Sequence, residues 1–253
     1  YVDKQDTIPQ LGMMDWAKPM QFTYNSGQYV SLGTNNTYGA TATISLSVNI
    51  ISSVNGYEGL FGSKFNTAGE FIVLKAGTTS LLVGVNQSYR IFTNVLEDGA
   101  TKFLSIIYNP SEAGDNRLRL FVNSIENTSG SVAGTVSGSL SNSTNNLSIG
   151  QTGPTSYASP QGIIGEVSIF NTAMDSSEVS ELYNNGDIKS ALTHTESANL
   201  SAYWRNDGTT IWKDLSSTGN DGTVVGSPLS ITLVPNPSNT LNDVLGNPLR
   251  LRE

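Results

Sequence analysis

The chain has 253 residues, a net charge of −8, 13% charged side chains, one histidine and no cysteine. The missing cysteines exclude disulfide staples and thiolate metal sites. Arginine clusters only at Arg117/Arg119 and Arg250/Arg252, too sparsely to track phosphates, and no apolar run reaches the ~18 residues of a membrane span, so neither nucleic acid nor membrane insertion is expected.

Residues 1–19 lack periodicity and are punctuated by Pro9, Gly12 and Pro19. They read as an N-terminal arm or linker, continuing from a longer or processed product. "MQFTYNSGQYVSLG" gives two short strands around an Asn-Ser-Gly turn. Ile44, Leu46, Val48 and Ile50 then alternate with small polar residues, which predicts a half-buried strand. "GLFGSKF", "EFIVLKA", "SLLVGV" and "YRIFTNV" follow as further short strands. "KFLSIIYN" and "RLRLFVNS" form the next pair, and in the second Leu118, Leu120 and Val122 alternate with Arg117, Arg119 and Phe121. Residues 127–146 are almost all Ser, Gly, Thr, Asn and Val, and are expected to form an exposed loop or edge hairpin. "NLSIG" and "GIIGEVSIF" are strands.

The segment 175–185 differs. Asp175 with Glu178 three residues on is a capping box, Val179, Leu182 and Tyr183 share one face, and Gly186 stops the run. "LSAYWRN", "TTIWKDL" and "GTVVG" add strands over 199–226, and residues 231–253 are again broken by prolines. Many short alternating strands with turns every 8 to 12 residues predict an all-β, two-sheet antiparallel sandwich. The single helix is expected to close an open end of it.

This order of elements resembles the laminin-G-like, concanavalin A-like jelly roll. "YNSGQYVSLG" is similar to its opening strand. "KFLSIIYNPSEAGDNRLRLFVNSI" is similar to its central hairpin, with Ser124 in the usual glycine place. "GIIGEVSIFNTAMDSSEVSELYNNG" carries the most specific resemblance, with Glu166, Val167, Ile169, Asn171, Ala173, Glu178, Leu182, Tyr183 and Gly186 in register. The resemblance covers residues 20–186, within a jelly-roll domain of 20–230. The segment 199–226 is similar to one that opens or closes such domains in tandem arrays. The segment 231–253 is a C-terminal arm or the lead-in to a further domain.

Chemistry is sparse. His194 lies between helix and strand and reads as a solvated loop residue. No nucleophile elbow, zinc-binding helix or phosphate loop occurs. Glycoside hydrolysis needs two carboxyls flanking the scissile bond, and Glu166 is the only acid in "GIIGEVSIF", so no enzyme is expected. Asp214, Asn220 and Asp221 offer hard oxygens in a glycine-containing loop. They read either as a turn, with no cofactor, or as a Ca2+ site, which the resemblance implies because relatives hold calcium at a sandwich rim. Trp204 and Trp212 read as core. Tyr29, Tyr38, Tyr57 and Tyr157 sit in or near turn-rich segments, and Tyr38, Tyr57 and Tyr157 are the candidates for glycan contact through ring stacking.

The tail arrangement resembles that of bacteriophage virion proteins. It implies a non-catalytic virion structural protein: a tail fibre, appendage or capsid decoration module that contacts host surface glycans. The alternative is a secreted bacterial adhesin or carbohydrate-binding module of a larger protein, placed outside the cell or on its surface. Apolar residues recur in both arms, among them Leu11, Trp16, Leu241 and Leu249, so the arms are expected to bind other virion proteins or copies of the same chain.

Overall fold

The computed structural model describes residues 19–34, 38–64, 70–133, 136–140, 145–152, 157–206 and 211–230. In chain order its strands are β1 (Met20–Phe22), β2 (Tyr29–Ser31), β3 (Ala42–Ile50), β4 (Tyr57–Gly62), β5 (Phe71–Ala76), β6 (Ser80–Val85), β7 (Ser88–Phe92), β8 (Thr101–Tyr108) and β9 (Leu118–Val122). Then come β10 (Ile125–Glu126), β11 (Ser131–Ala133), β12 (Ser148–Ile149), β13 (Gly162–Phe170), β14 (Leu200–Asn206), β15 (Ile211–Asp214), β16 (Gly222–Val225) and β17 (Leu229–Ser230). The helix α1 spans Ser176–Tyr183. The proposed arms lie outside the described residues, apart from Pro19. No helix among the described residues is long and apolar enough to cross a membrane.

The strands form two antiparallel layers. In the first, β3 pairs with β8 and β13, and β8 with β9. The free side of β13 is shared by β1 and β14. In the second, the order runs β16, β2, β12, β4, β5, β6, β7, β11. The β14–β15–β16 ribbon joins the layers along one edge. This is the two-sheet antiparallel sandwich that the strand alternation predicts, and it is consistent with the jelly roll that the resemblance implies.

Alternation decides what fills the space between the layers. Ile44, Leu46, Val48 and Ile50 of β3 are each at most 1% exposed, and each such burial stabilises by roughly 1.5–3 kcal/mol. They meet Leu104, Ile106, Leu118 and Leu120 beside them and Phe71, Val73, Leu81 and Val83 across from them. Trp204 and Trp212 join the same core, and the Trp204 indole Nε1–H donates to the Asn220 carbonyl at 2.7 Å.

Three expectations are corrected. First, β3 is buried on both faces, not one. Two of its small polar residues find partners: Ser45 bonds its cross-strand neighbour Ser105 on β8 at 3.0 Å, and Thr43 donates to the Thr172 carbonyl at 2.8 Å. Second, α1 covers the outer face of the first layer and not an open end. Met174, Val179 and Leu182 pack on Phe103, Ile107, Phe121 and Phe170 in a cluster separate from the main core. The capping box is present: Asp175 accepts from Ser177 N–H and Glu178 N–H, and Glu178 returns a bond to Asp175 N–H. The helix ends before Gly186, at Asn184, whose φ of 44° places it in the left-handed region. Third, the 127–146 segment is not wholly exposed. It supplies the edge strand β11, and Val136 and Leu140 reach the main core.

Candidate functional site

The second layer has an outer face of its own. Ile72, Leu74, Ala76 and Leu82 alternate away from the main core and form a small cluster with Tyr89, Ile91 and Tyr157. Two elements bring tyrosines here. β4 starts at Tyr57, directly opposite Ala76. Behind it, Glu58 and Lys75 are cross-strand partners whose carboxylate and ammonium meet at 2.8 Å with both side chains fully buried. Lys75 also donates to the Val54 carbonyl at 2.6 Å, which fixes the approach to β4.

The second element is the segment around residue 158, which lies alongside β4. Glu58 and Ala158 form a parallel bridge, and Gly59 N–H donates to the Ala158 carbonyl at 2.8 Å. Gly59 is required: a Cβ there would stand 2.6 Å from the Thr152 nitrogen and 2.7 Å from the Gln151 carbonyl carbon. An alanine would push on Gln151 and on Thr152, which itself bridges to Tyr157.

Tyr57 is left 50% exposed. Its ring centroid lies 5.9 Å from that of Tyr157 at an interplanar angle of 63°. Tyr157 is half-buried, and burial, followed by the neighbouring Tyr57, raises its pKa above the ordinary phenol value. Its hydroxyl therefore stays protonated at neutral pH. An edge-to-face aromatic pair on a flat sheet offers a ring face to apolar C–H groups, with hydroxyls beside it to exchange hydrogen bonds.

Sequence reasoning selected Tyr57 and Tyr157, which the structure brings together, and Tyr38, which it does not. Tyr38 is buried in the main core against Phe71, with ring centroids 6.4 Å apart, so it presents no face to a sugar. Tyr89 and Ile91 were not singled out. The signal was present in "YRIF", where Tyr89 and Ile91 alternate with the buried Arg90 and Phe92.

The Asp214, Asn220 and Asp221 loop is a turn held by its own hydrogen bonds. Asp214 Oδ1 accepts from Tyr203 N–H at 3.0 Å and Ser216 N–H at 2.9 Å. Its Oδ2 accepts from the Thr218 hydroxyl at 2.7 Å and Asn220 N–H at 2.9 Å. Burial raises the Asp214 pKa, but these bonds outweigh it and leave the pKa below the ordinary value. Asp221 accepts from Asp214 N–H at 2.9 Å and pairs with Lys213 at 2.5 Å. The Asp214 carboxylate is turned inward and bonded on both oxygens, and Asp221 is held by one backbone bond and one ion pair, so internal bonds organise this loop as a turn. Among the described residues no group of three or more His, Asp or Glu side chains is placed to hold a metal.

His194 is a correction too. It is buried, not solvated. Its Nδ1 accepts from Glu196 N–H at 3.0 Å, which leaves the proton on Nε2, 2.9 Å from the Glu178 carbonyl. Glu181 binds Lys189 and Thr195 beside it, and those two bonds lower its pKa to about 2. The histidine thus ties α1 to the following turn.

Glu166 sits at a bulge in β13, between Gly165 and Ser168, with a φ of 50°. The bulge turns its carboxylate onto the Tyr203 hydroxyl and to 2.7 Å from Arg205 Nε. Burial raises its pKa, while Arg205 and Tyr203 pull it down. It is buried and already paired.

A family model described as the concanavalin A-like lectin/glucanases superfamily matches residues 24–180. No curated protein matches the sequence. Among solved structures, a Bacteroides ovatus protein to which carbohydrate binding has been ascribed superposes with a TM-score of 0.61 at 15% identity, over 87% of this chain and 63% of its own. The chain thus spans less than two thirds of that relative. A heptameric SAP-like pentraxin from Limulus polyphemus gives a TM-score of 0.51 at 14% identity, over 67% of this chain and 83% of its own. The CBM40 of a Ruminococcus gnavus IT-sialidase gives 0.50 at 12% identity, over 64% of this chain and 95% of its own.

Proposed function

The chain belongs to the concanavalin A-like lectin/glucanases superfamily, and on that premise we propose that it is a non-catalytic, glycan-contacting module of a larger surface assembly. The observation that carries this is the half-exposed Tyr57 packed edge-on against Tyr157 on the open face of the second layer. A ring held this way loses little freedom on binding, so stacking on a sugar is not offset by ordering a mobile side chain. The absence of catalysis is supported by Glu166, the one acid of β13, which is engaged by Arg205 and Tyr203.

Tyr57→Ala and Tyr157→Ala should each abolish retention on a glycan array to which the native protein binds, Tyr57→Ala with little change in melting temperature and Tyr157→Ala with a lowered one, because that ring also covers the apolar cluster. Retention at native strength by both variants sinks the tyrosine site. Release of reducing ends from any polysaccharide sinks the non-catalytic part.

We place the module on a bacteriophage virion, as fibre, appendage or capsid decoration, because its 199–226 segment resembles those of such proteins. The second reading, a secreted adhesin or a binding module of a longer enzyme, is favoured by the Bacteroides and Ruminococcus structures of the same fold. Mass spectrometry separates them: fixed copy number in purified particles supports the first, and recovery from the culture medium alone supports the second.

A further inference from the structure

A cleft of about 430 Å³ opens on the other side of the molecule, on the outer face of the first layer next to the start of α1. Its floor is Ile107 and Met174, which belong to the helix-side cluster. That cluster and the one under Tyr157 lie on opposite sides of the main core. We propose that this cleft is a second saccharide site, taking a neutral hexose unit, so that the module binds glycans from both outer faces. The proposal rests on the reading of the chain as glycan-contacting.

The cleft has the size of a small-molecule site, and its lining is mainly polar over a small apolar floor. Several of its polar groups are held in place before any ligand arrives. Arg119 forks onto Glu126 with two bonds of 2.7 Å and lies 4.9 Å above the Phe121 ring. Two of the five guanidinium N–H groups are used in that fork, which leaves three donors. Asn109 is oriented by accepting from Ser111 N–H at 3.1 Å and keeps its amide donors. Glu112 and Asn116 line the same cleft, and neither side chain makes a hydrogen bond to a described residue. Donors and acceptors around an apolar floor match a hexose ring, whose hydroxyls both donate and accept and whose C–H groups are apolar.

Charge narrows the class. Glu112, Glu126 and Asp175 face a single guanidinium, that of Arg119. The surplus negative charge repels sialic and uronic acids, and like charges brought together discriminate between partners more sharply than attraction does.

The test uses the full chain, isotopically labelled, titrated with methyl β-D-galactopyranoside, methyl α-D-glucopyranoside and the methyl glycoside of N-acetylneuraminic acid. We expect at least one neutral glycoside to shift the Arg119 Nε–H signal and the Asn109 and Asn116 side-chain amides, and the acidic one to leave them still. Asn116→Ala, at an exposed position, should weaken that response about tenfold, the loss of one good hydrogen bond. Glu112→Gln should relax, without removing, the exclusion of the acidic glycoside. Shifts confined to Tyr57 and Tyr157 overturn the cleft and leave the tyrosine reading standing. Shifts confined to the cleft support it and overturn the tyrosine reading. No shift with either neutral glycoside overturns both.

Discussion

On the outer face of the first layer, Phe103, Ile107 and Phe121 lie beneath a capped helix. On the outer face of the second, Ile72, Leu74 and Leu82 are overlaid by Tyr157, with Tyr89 and Ile91 beside them. Both faces are apolar, and they are finished differently. Leu182 and Val179 disappear under the helix and serve stability. On the other face the last ring stays half in water, and an exposed aromatic is surface free to bind. One fold thus finishes its two faces differently, with a capped helix over one and a half-exposed ring over the other.

Four experiments test that contrast. The largest effect is expected from Leu182→Asp, which removes a buried side chain and leaves an unpaired carboxylate under the helix. The cost should be at least ~4 kcal/mol, read by denaturant unfolding. A variant as stable as the native protein would show that α1 seals nothing.

Next comes Lys75→Met, behind the tyrosine face, where Glu58 would be stranded in the core. A loss of about 3–5 kcal/mol is expected, most of it recovered in the double variant with Glu58→Leu. If the double variant is no more stable than the single one, the ion pair is not what holds β4 to β5.

A smaller effect concerns pH. Glu181 titrates at about 2, below its ordinary 4.5, because Lys189 and Thr195 bind its ionised form. A carboxylate whose pKa is depressed by folding stabilises the fold above its unfolded pKa, and that contribution fades as pH falls through the folded one. Melting curves of Glu181→Gln should therefore lie below those of the native protein at pH 6 and converge with them by about pH 2. A gap that persists unchanged at low pH contradicts the assignment.

The smallest effect on stability is expected from Tyr57→Ala. An exposed ring removed from a rigid face should change unfolding by no more than ~0.5 kcal/mol. A large loss would make the open face structural, like the other one.

Much of this was legible in the sequence. The β3 and β9 alternations named the core, and Asp175 with Glu178 named the start of the helix. What the sequence hid was context. Ser45 and Ser47 look solvated because polar residues between apolar ones usually face water; here a third layer covers them. Tyr38 and His194 carry no local mark of burial, since the residues that enclose them are distant in the chain. Asp214 reads equally as a metal ligand or a turn former until the donors at Tyr203, Ser216, Thr218 and Asn220 are seen to converge on it. The cleft is assembled from residues 107–126 and 173–175, which no local pattern joins.

The short pairing of β1 with β17 has a mechanical consequence. Met20 lies opposite Ser230, and Gln21 opposite Leu229, so the chain enters and leaves the domain at neighbouring points. Whatever is linked before residue 19 and after residue 230 is therefore joined by a hinge-width gap, and the domain hangs from it as a side bead, not as a rung in series. Tension applied to both ends would first unzip this two-residue pairing one hydrogen bond at a time, a weak geometry, and then load the β1–β13 pairing beside it. Losing this two-residue clasp breaks none of the pairings of β3 with its neighbours.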